Sequence, residues 1–276
     1  MLAQSSSARP ARDISGRLFV SPLALAVGTA AVAFTLAPWP LEQKAHALLH
    51  GLCTQRPSHS LTFGAHILPF DARMTGIYAG FLVSFLYLIA RGRLRARSAP
   101  SIPTVALGAL FIGAMALDGG NSFIADIGAG PMYTPANWLR LTTGILTGTA
   151  LAPIVMYLLA TTLWRPDHRH VPVVNGIPEL IAMAALQSPL AVLLVTGGDW
   201  LFDPTTMLLI VSALLLVSAI VLVVVVLVWH GDGVYTDLRQ VQLPAIVAFA
   251  LAIVVVATLG GGRFVLERLT GAPPLT

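Results

Sequence analysis

The only cysteine in the chain, Cys53, stands among four of the seven histidines, His46, His50, His59 and His66, with Asp71 close behind. Thiolate, imidazole and carboxylate are the groups that hold zinc, and a structural zinc site takes four of them. His46 and His50 are four residues apart, so one helix face would carry both. By number alone this is an adequate ligand set. A second chemistry is offered by Arg73, Asp118, Asn121, Asn137 and Arg140. Charges at the edge of an apolar segment are costly unless paired. Such pairs staple helix ends, or, as two guanidiniums, line a pocket for an anion or a lipid headgroup. Asp118 with Arg140, and Asp71 with Arg73 or Arg56, are the expected partners, and Asn137 or Thr134 the expected cap of the helix behind them. No phosphate loop, His-Glu-x-x-His or Gly-x-Ser-x-Gly pattern is present.

These groups need elements to hold them, and the composition says which. Hydrophobic residues make up 56% of the 276, charged residues 10%, and the mean hydropathy is +0.82. A water-soluble domain carries about a quarter charged residues. The chain therefore reads as an all-α, polytopic transmembrane bundle of about seven spans. Residues 1–17 read as a cytoplasmic tail, 18–160 as the membrane core with loops 39–71 and 118–137, and 161–276 as three further spans. The run from Leu18 to Pro38 is too long for a signal-peptide core and is taken as the first span. Leu41 to Cys53 has the spacing of an amphipathic helix on the membrane surface, and 54–71 that of a polar loop. The later spans fall at 72–90, 101–117, 138–164, 177–197, 204–229 and 242–260.

Basic residues orient the bundle. Placing Arg91, Arg93, Arg95 and Arg97 in the cytoplasm puts ten of the 16 Lys and Arg residues on that side. The N-terminus is then cytoplasmic, the C-terminus extracytoplasmic, and loops 39–71 and 118–137 share the outer face. His168, Arg169 and His170 read as a solvated basic turn. The net charge of +4 belongs to topology, so no nucleic-acid partner is expected. Gly76 with Gly80 and Gly144 with Gly148 have the four-residue spacing that allows close backbone approach. Gly108 and Gly113 add small residues to the third span. Spans two, three and four, with help from the fifth, are expected to form the tight core. The sixth and seventh spans, nearly all Val, Leu, Ile and Ala, are expected to face lipid. Gln187-Ser188-Pro189 places a polar group inside the fifth span, where it needs a partner.

The motifs carry a resemblance. Cys53-x-Gln55, then His66, then Ala72-Arg73-x-Thr75-Gly76-Ile77-Tyr78-x-Gly80, resembles the prokaryotic membrane-protein family catalogued as domain of unknown function 2085. That family shows Cys-His-Gln, Gly-His-Gln-Leu-Pro and Cys-Ala-Arg-Cys-Thr-Gly-Ile-Tyr. Asp118-Gly119-Gly120-Asn121 and Asn137-x-x-Arg140-x-x-Thr143-Gly144-x3-Gly148 are similar to its second block. The resemblance spans about 45–160 and implies a prokaryotic plasma-membrane location and a site, but no activity. The family pattern suggests a soft-metal or thiol site. Thr54, Asp71 and Met74 replace three of its Cys and His positions, so neither metal nor other cofactor is expected here.

The resulting expectation is a non-catalytic subunit or binding protein whose extracytoplasmic cap covers the second to fourth spans. Cys53, Gln55, His66, Arg73, Tyr78, Asp118, Asn121, Asn137 and Arg140 are its candidate ligand-binding residues. Its expected partners are the bilayer and other membrane subunits, or a lipid or small anion. A small-solute transporter, and a membrane enzyme using His66, Arg73, Asp118 and Arg140, are the alternatives.

Overall fold

The computed structural model describes residues 21–166 and 171–271. The 1–17 tail, the start of the first expected span and the His168–His170 turn lie outside these residues. Among the described residues six helical segments are long and apolar enough to cross a membrane: Ala72–Ala90, Ile102–Asp126, Asn137–Leu163, Gly176–Thr196, Asp199–Val228 and Leu238–Thr270. The first expected span is represented by a shorter apolar helix, α1 (Pro22–Leu36), of 15 residues. Ser21 caps it by accepting the Ala24 N–H, and Pro22 suits its first turn.

The tightest packing joins α3 (Ala72–Ala90) to α5 (Asn137–Leu163). A Cβ on Gly76 would fall on the Leu141 carbonyl, and one on Gly144 on the Arg73 carbonyl. Gly80 and Gly148 make the same fit one turn deeper, against Ile145 and Ile77. The two glycine pairs therefore face each other, as their spacing predicts, and the backbones meet across them.

The third expected span behaves differently. It becomes α4 (Ile102–Asp126), and it runs on through Asp118-Gly119-Gly120-Asn121 instead of ending at Leu117. Only 11% of its apolar window is buried, against 72% for α5. Among the described residues of other elements, a Cβ on Gly113 would meet nothing within 4 Å, and one on Gly108 only the Ala150 side chain, at 3.6 Å. This helix lies on the outside of the bundle, contrary to the expectation that it joins the core.

Its place is taken by α8 (Phe202–Val228), which buries Thr205, Thr206, Leu209, Ile210, Ser212, Ala213 and Leu216. Ser212 donates to the Tyr78 carbonyl at 2.5 Å. The few hydroxyl residues in an aliphatic run thus mark its packed face, and the expectation of a lipid-facing helix is corrected. The last helix, α9 (Leu238–Thr270), extends ten residues beyond the expected end at 260.

The fifth expected span is two helices, α6 (Gly176–Ala185) and α7 (Ser188–Thr196), broken at Leu186 and Gln187. Pro189 cannot continue an upstream helix without losing a hydrogen bond. Gln187, 1% exposed, fills the break. Its amide nitrogen donates to Thr149 Oγ1 at 2.7 Å, Ser84 Oγ at 2.9 Å and the Met183 carbonyl at 3.3 Å.

The segment expected to be a loop contains a β-hairpin, so the fold is not purely helical. Strands β1 (Ser60–Phe63) and β2 (His66–Asp71) pair antiparallel around Gly64, whose φ is +60°. With α2 (Leu41–Leu49) the hairpin forms a cap over one end of the bundle. The polar flank of α2 is turned to the hairpin: His46 Nε2 lies 3.2 Å from the Ile67 carbonyl, and Glu42 meets His66. The cap covers the starts of α3, α5 and α8 and the end of α9, a wider footing than the second to fourth spans alone.

Candidate functional site

Two constellations form at the cap end: a hydrogen-bonded cap built around Gln55, and an arginine cluster beneath its edge. The first begins with Cys53, whose Sγ accepts the backbone N–H groups of Gln55 and Asp71, both at 3.4 Å. Asp71 in turn accepts the Met74 N–H at 2.7 Å and caps α3. Of the three positions where the resembled pattern has Cys, Cys53 and Asp71 thus meet, and the third, Met74, bonds Asp71 through its backbone. Burial, then the Asp71 charge, pushes the Cys53 thiol up to about 11. Among the described residues no group of three or more His, Cys, Asp and Glu side chains is arranged to hold a metal.

Gln55 has a φ of +55°, unusual for a residue with a Cβ. Its surroundings hold it there. The amide nitrogen donates to the carbonyls of His46 and Pro69, both at 3.0 Å, and Oε1 lies 2.9 Å from His50 Nδ1. His50 Nε2 reaches Glu267 Oε2 at 2.9 Å and its ring stacks on Phe264 at 4.0 Å. Because Gln55 Oε1 can only accept, His50 Nδ1 donates to it, and Nε2 is left facing Glu267. Arg263 donates to the carbonyls of His50, Cys53 and Thr54 and pairs with Glu267 at 2.8 Å. Arg263 and Glu267 did not figure among the sequence candidates. An Arg and a Glu four residues apart at the end of an otherwise apolar helix were the signal for them.

His66 lies on another flank, 2.9 Å from Glu42 and stacked on Phe202 at 4.7 Å. The Glu42 hydrogen bond raises its pKa, against a smaller effect of burial. Burial alone would raise Glu42, but the His66 and Ile67 hydrogen bonds prevail and lower it. The contacts of His66 are with α2 and α8, away from Arg73, Asp118 and Arg140. Tyr78 is 5% exposed and stacks on Phe70 at 4.7 Å, inside the core.

The arginine cluster joins α3, α4 and α5. Asp118, 2% exposed, accepts from Arg73 Nη2 at 2.7 Å and from the Tyr133 hydroxyl at 3.0 Å. It does not pair with Arg140, as the sequence reading expected. Because α4 continues past Leu117, Asp118 sits two turns below the helix end and meets Arg73 on the first turn of α3. Arg140, 6% exposed, donates to Asn137 Oδ1 at 2.7 Å and to Ser122 Oγ at 3.4 Å. The neighbouring carboxylates have other partners: Asp71 caps α3, and Asp126 binds Arg56 at 2.8 Å and His59 at 3.4 Å. Asn137 is the first residue of α5 and not its cap; its Nδ2 donates to the carbonyls of Ser58 and Ser60, fastening the cap to the cluster. Asn121 gathers the 127–136 loop, accepting from Met132 N–H at 2.7 Å and donating to the Tyr133 carbonyl at 2.9 Å.

Arg73 is therefore half-buried and paired with Asp118, whereas Arg140 is buried and, among the described residues, has no carboxylate within ion-pair distance. Among the described residues Arg73 Nε also has no hydrogen-bond partner. Burial and then the Arg140 charge lower the pKa of His59, against the opposing charge of Asp126.

A helical bundle with several membrane-length apolar helices, closed at one end by a polar cap, defines a multi-pass membrane protein. Residues 53–154 match the family described as Predicted membrane protein (DUF2085), the one its motifs resemble. The match runs from Cys53 through the hairpin, α3 and α4 into α5, and so takes in both constellations except their α2 and α9 sides. No curated protein and no solved structure gives a significant match.

Proposed function

We propose that the chain is a non-catalytic binding protein or subunit of a prokaryotic plasma membrane, with seven spans, the N-terminus inside and the cap on the outer face. Its ligand is an anionic group, a carboxylate or phosphate presented by a lipid, a small molecule or a neighbouring membrane subunit. The observation that carries this reading is Arg140, buried with hydrogen bonds to Asn137 and Ser122 but, among the described residues, no carboxylate within ion-pair distance. A buried charge is stable only with a partner, and an anion docking between α3, α4 and α5 would supply the missing one. The test is mass spectrometry of lipids, small anions and proteins that copurify in mild detergent. A defined anionic species should be lost on Arg140→Gln while the fold is kept; identical profiles would refute the proposal.

The broken helix at Gln187 favours a second reading, passage of a small solute. Half-helices that meet near the membrane centre are a common way to build a transport site, and Gln187 Oε1 is buried without a partner. Gln187→Cys in a Cys53→Ser background decides between them. Labelling by a water-soluble thiol reagent places position 187 on an aqueous path; an inert thiol makes the break structural.

A further inference from the structure

At the end of the bundle opposite the cap, Arg95, Arg97, Trp164, Arg165, Tyr235 and Thr236 line an open pocket of about 220 Å³. Its walls are fixed by contacts of their own. Trp164 is 4% exposed and donates its indole N–H to the Leu94 carbonyl at 2.6 Å. The Arg95 guanidinium lies 4.7 Å from the Trp164 ring centroid and donates to the Thr236 carbonyl at 2.9 Å. Arg97 donates to the carbonyls of Trp164 and Thr161, at 2.7 and 3.3 Å, closing the C-terminal end of α5. The Arg165 N–H bonds the Tyr235 carbonyl at 3.0 Å, tying the two sides together.

Carbonyl oxygens orient a guanidinium but leave its charge in place. Among the described residues none of these three arginines is within ion-pair distance of a carboxylate, whereas neighbouring Arg91 and Arg93 both reach Glu179. The pocket also lies where α5 and α8 end and α9 begins, at the boundary between the apolar helices and water. Preorganised arginines at such a boundary, with an aromatic wall, match a phosphate and the lipid that carries it.

We propose that this pocket binds a phosphate-bearing anion, either the headgroup of an anionic phospholipid or a free phosphate compound. The proposal is independent of the cap-end cluster. Arg95→Gln with Arg165→Gln removes two charges and spares Arg97, the residue that closes α5. Arg239→Gln, at an exposed residue of the first α9 turn, is the control for diffuse charge. One measurement counts phosphatidylglycerol retained by the full chain in phosphatidylcholine nanodiscs that contain it, by native mass spectrometry. The other follows the thermal midpoint in neutral detergent as inorganic phosphate is added. The double variant should lose on the order of tenfold in apparent affinity, and the control much less. Dependence seen with phosphatidylglycerol alone assigns the site to lipid; dependence seen with inorganic phosphate assigns it to a soluble phosphate compound. If the double variant equals the wild type in both measurements, or the control loses as much, the proposal is overturned.

Discussion

Cys53 shows how one side chain can be central and unreactive at once. Its thiol is held at about 11, so its thiolate is about 100-fold scarcer at neutral pH than that of an ordinary cysteine. Maleimide labelling of the folded protein should be slowed by about that factor and restored by denaturant; fast labelling would show the cap to be open. The Arg73–Asp118 pair makes a stability prediction. Asp118→Asn should cost about 3 kcal/mol by leaving the half-buried Arg73 guanidinium unpaired. Adding Arg73→Gln should recover part of that loss in a double-mutant cycle on thermal stability. Strict additivity would mean that the two do not interact.

The His66–Glu42 contact gives the hairpin a pH window. His66 is raised when folded, so its contribution is full below its unfolded pKa and is lost as pH rises through the folded value. Glu42 is lowered, so its contribution is present above its unfolded pKa and is lost as pH falls through the folded value. Hydrogen exchange at the Ile67 amide, which bonds Glu42, should therefore be slowest between the two. On Glu42→Gln the His66 titration, followed by NMR, should move down towards the ordinary range.

Among the elements, α3 and α5 were legible in the sequence because glycine spacing is a local signal of close approach. The same reasoning failed for α4, whose Gly108 and Gly113 look similar in sequence but have no close neighbour. Small residues permit an interface; they do not supply one. Gly144→Ala should cost at least ~2 kcal/mol by forcing α3 and α5 apart. Gly113→Ala should be neutral, or stabilising by up to about 1 kcal/mol through helix propensity. Thermal midpoints in detergent that rank the two the other way would contradict the packing described. The Asp118 partner was misread for a related reason. Gly119-Gly120 resembles a loop, and only the packing of Asp118 and Ser122 against Arg73 shows that the helix continues through it. The hairpin was hidden as well, since its strands are short and interrupted by Pro69.

At the scale of the whole molecule, the class, the apolar helices and the family motifs could be read from composition and local pattern. The ties between distant parts could not: Arg263 and Glu267 bind residues more than 200 positions earlier. That separation has a consequence in time. The cap is translated early, but the groups that hold the carbonyls of His50, Cys53 and Thr54 arrive only with the last helix. A chain still being synthesised therefore carries the cap with its final clasp missing, and closing it marks completion of the bundle. Chains truncated after Gly262 should insert but expose Cys53 to alkylation at a rate nearer that of the unfolded protein, whereas the full chain protects it. Equal protection in both would show that the cap closes before the chain is finished.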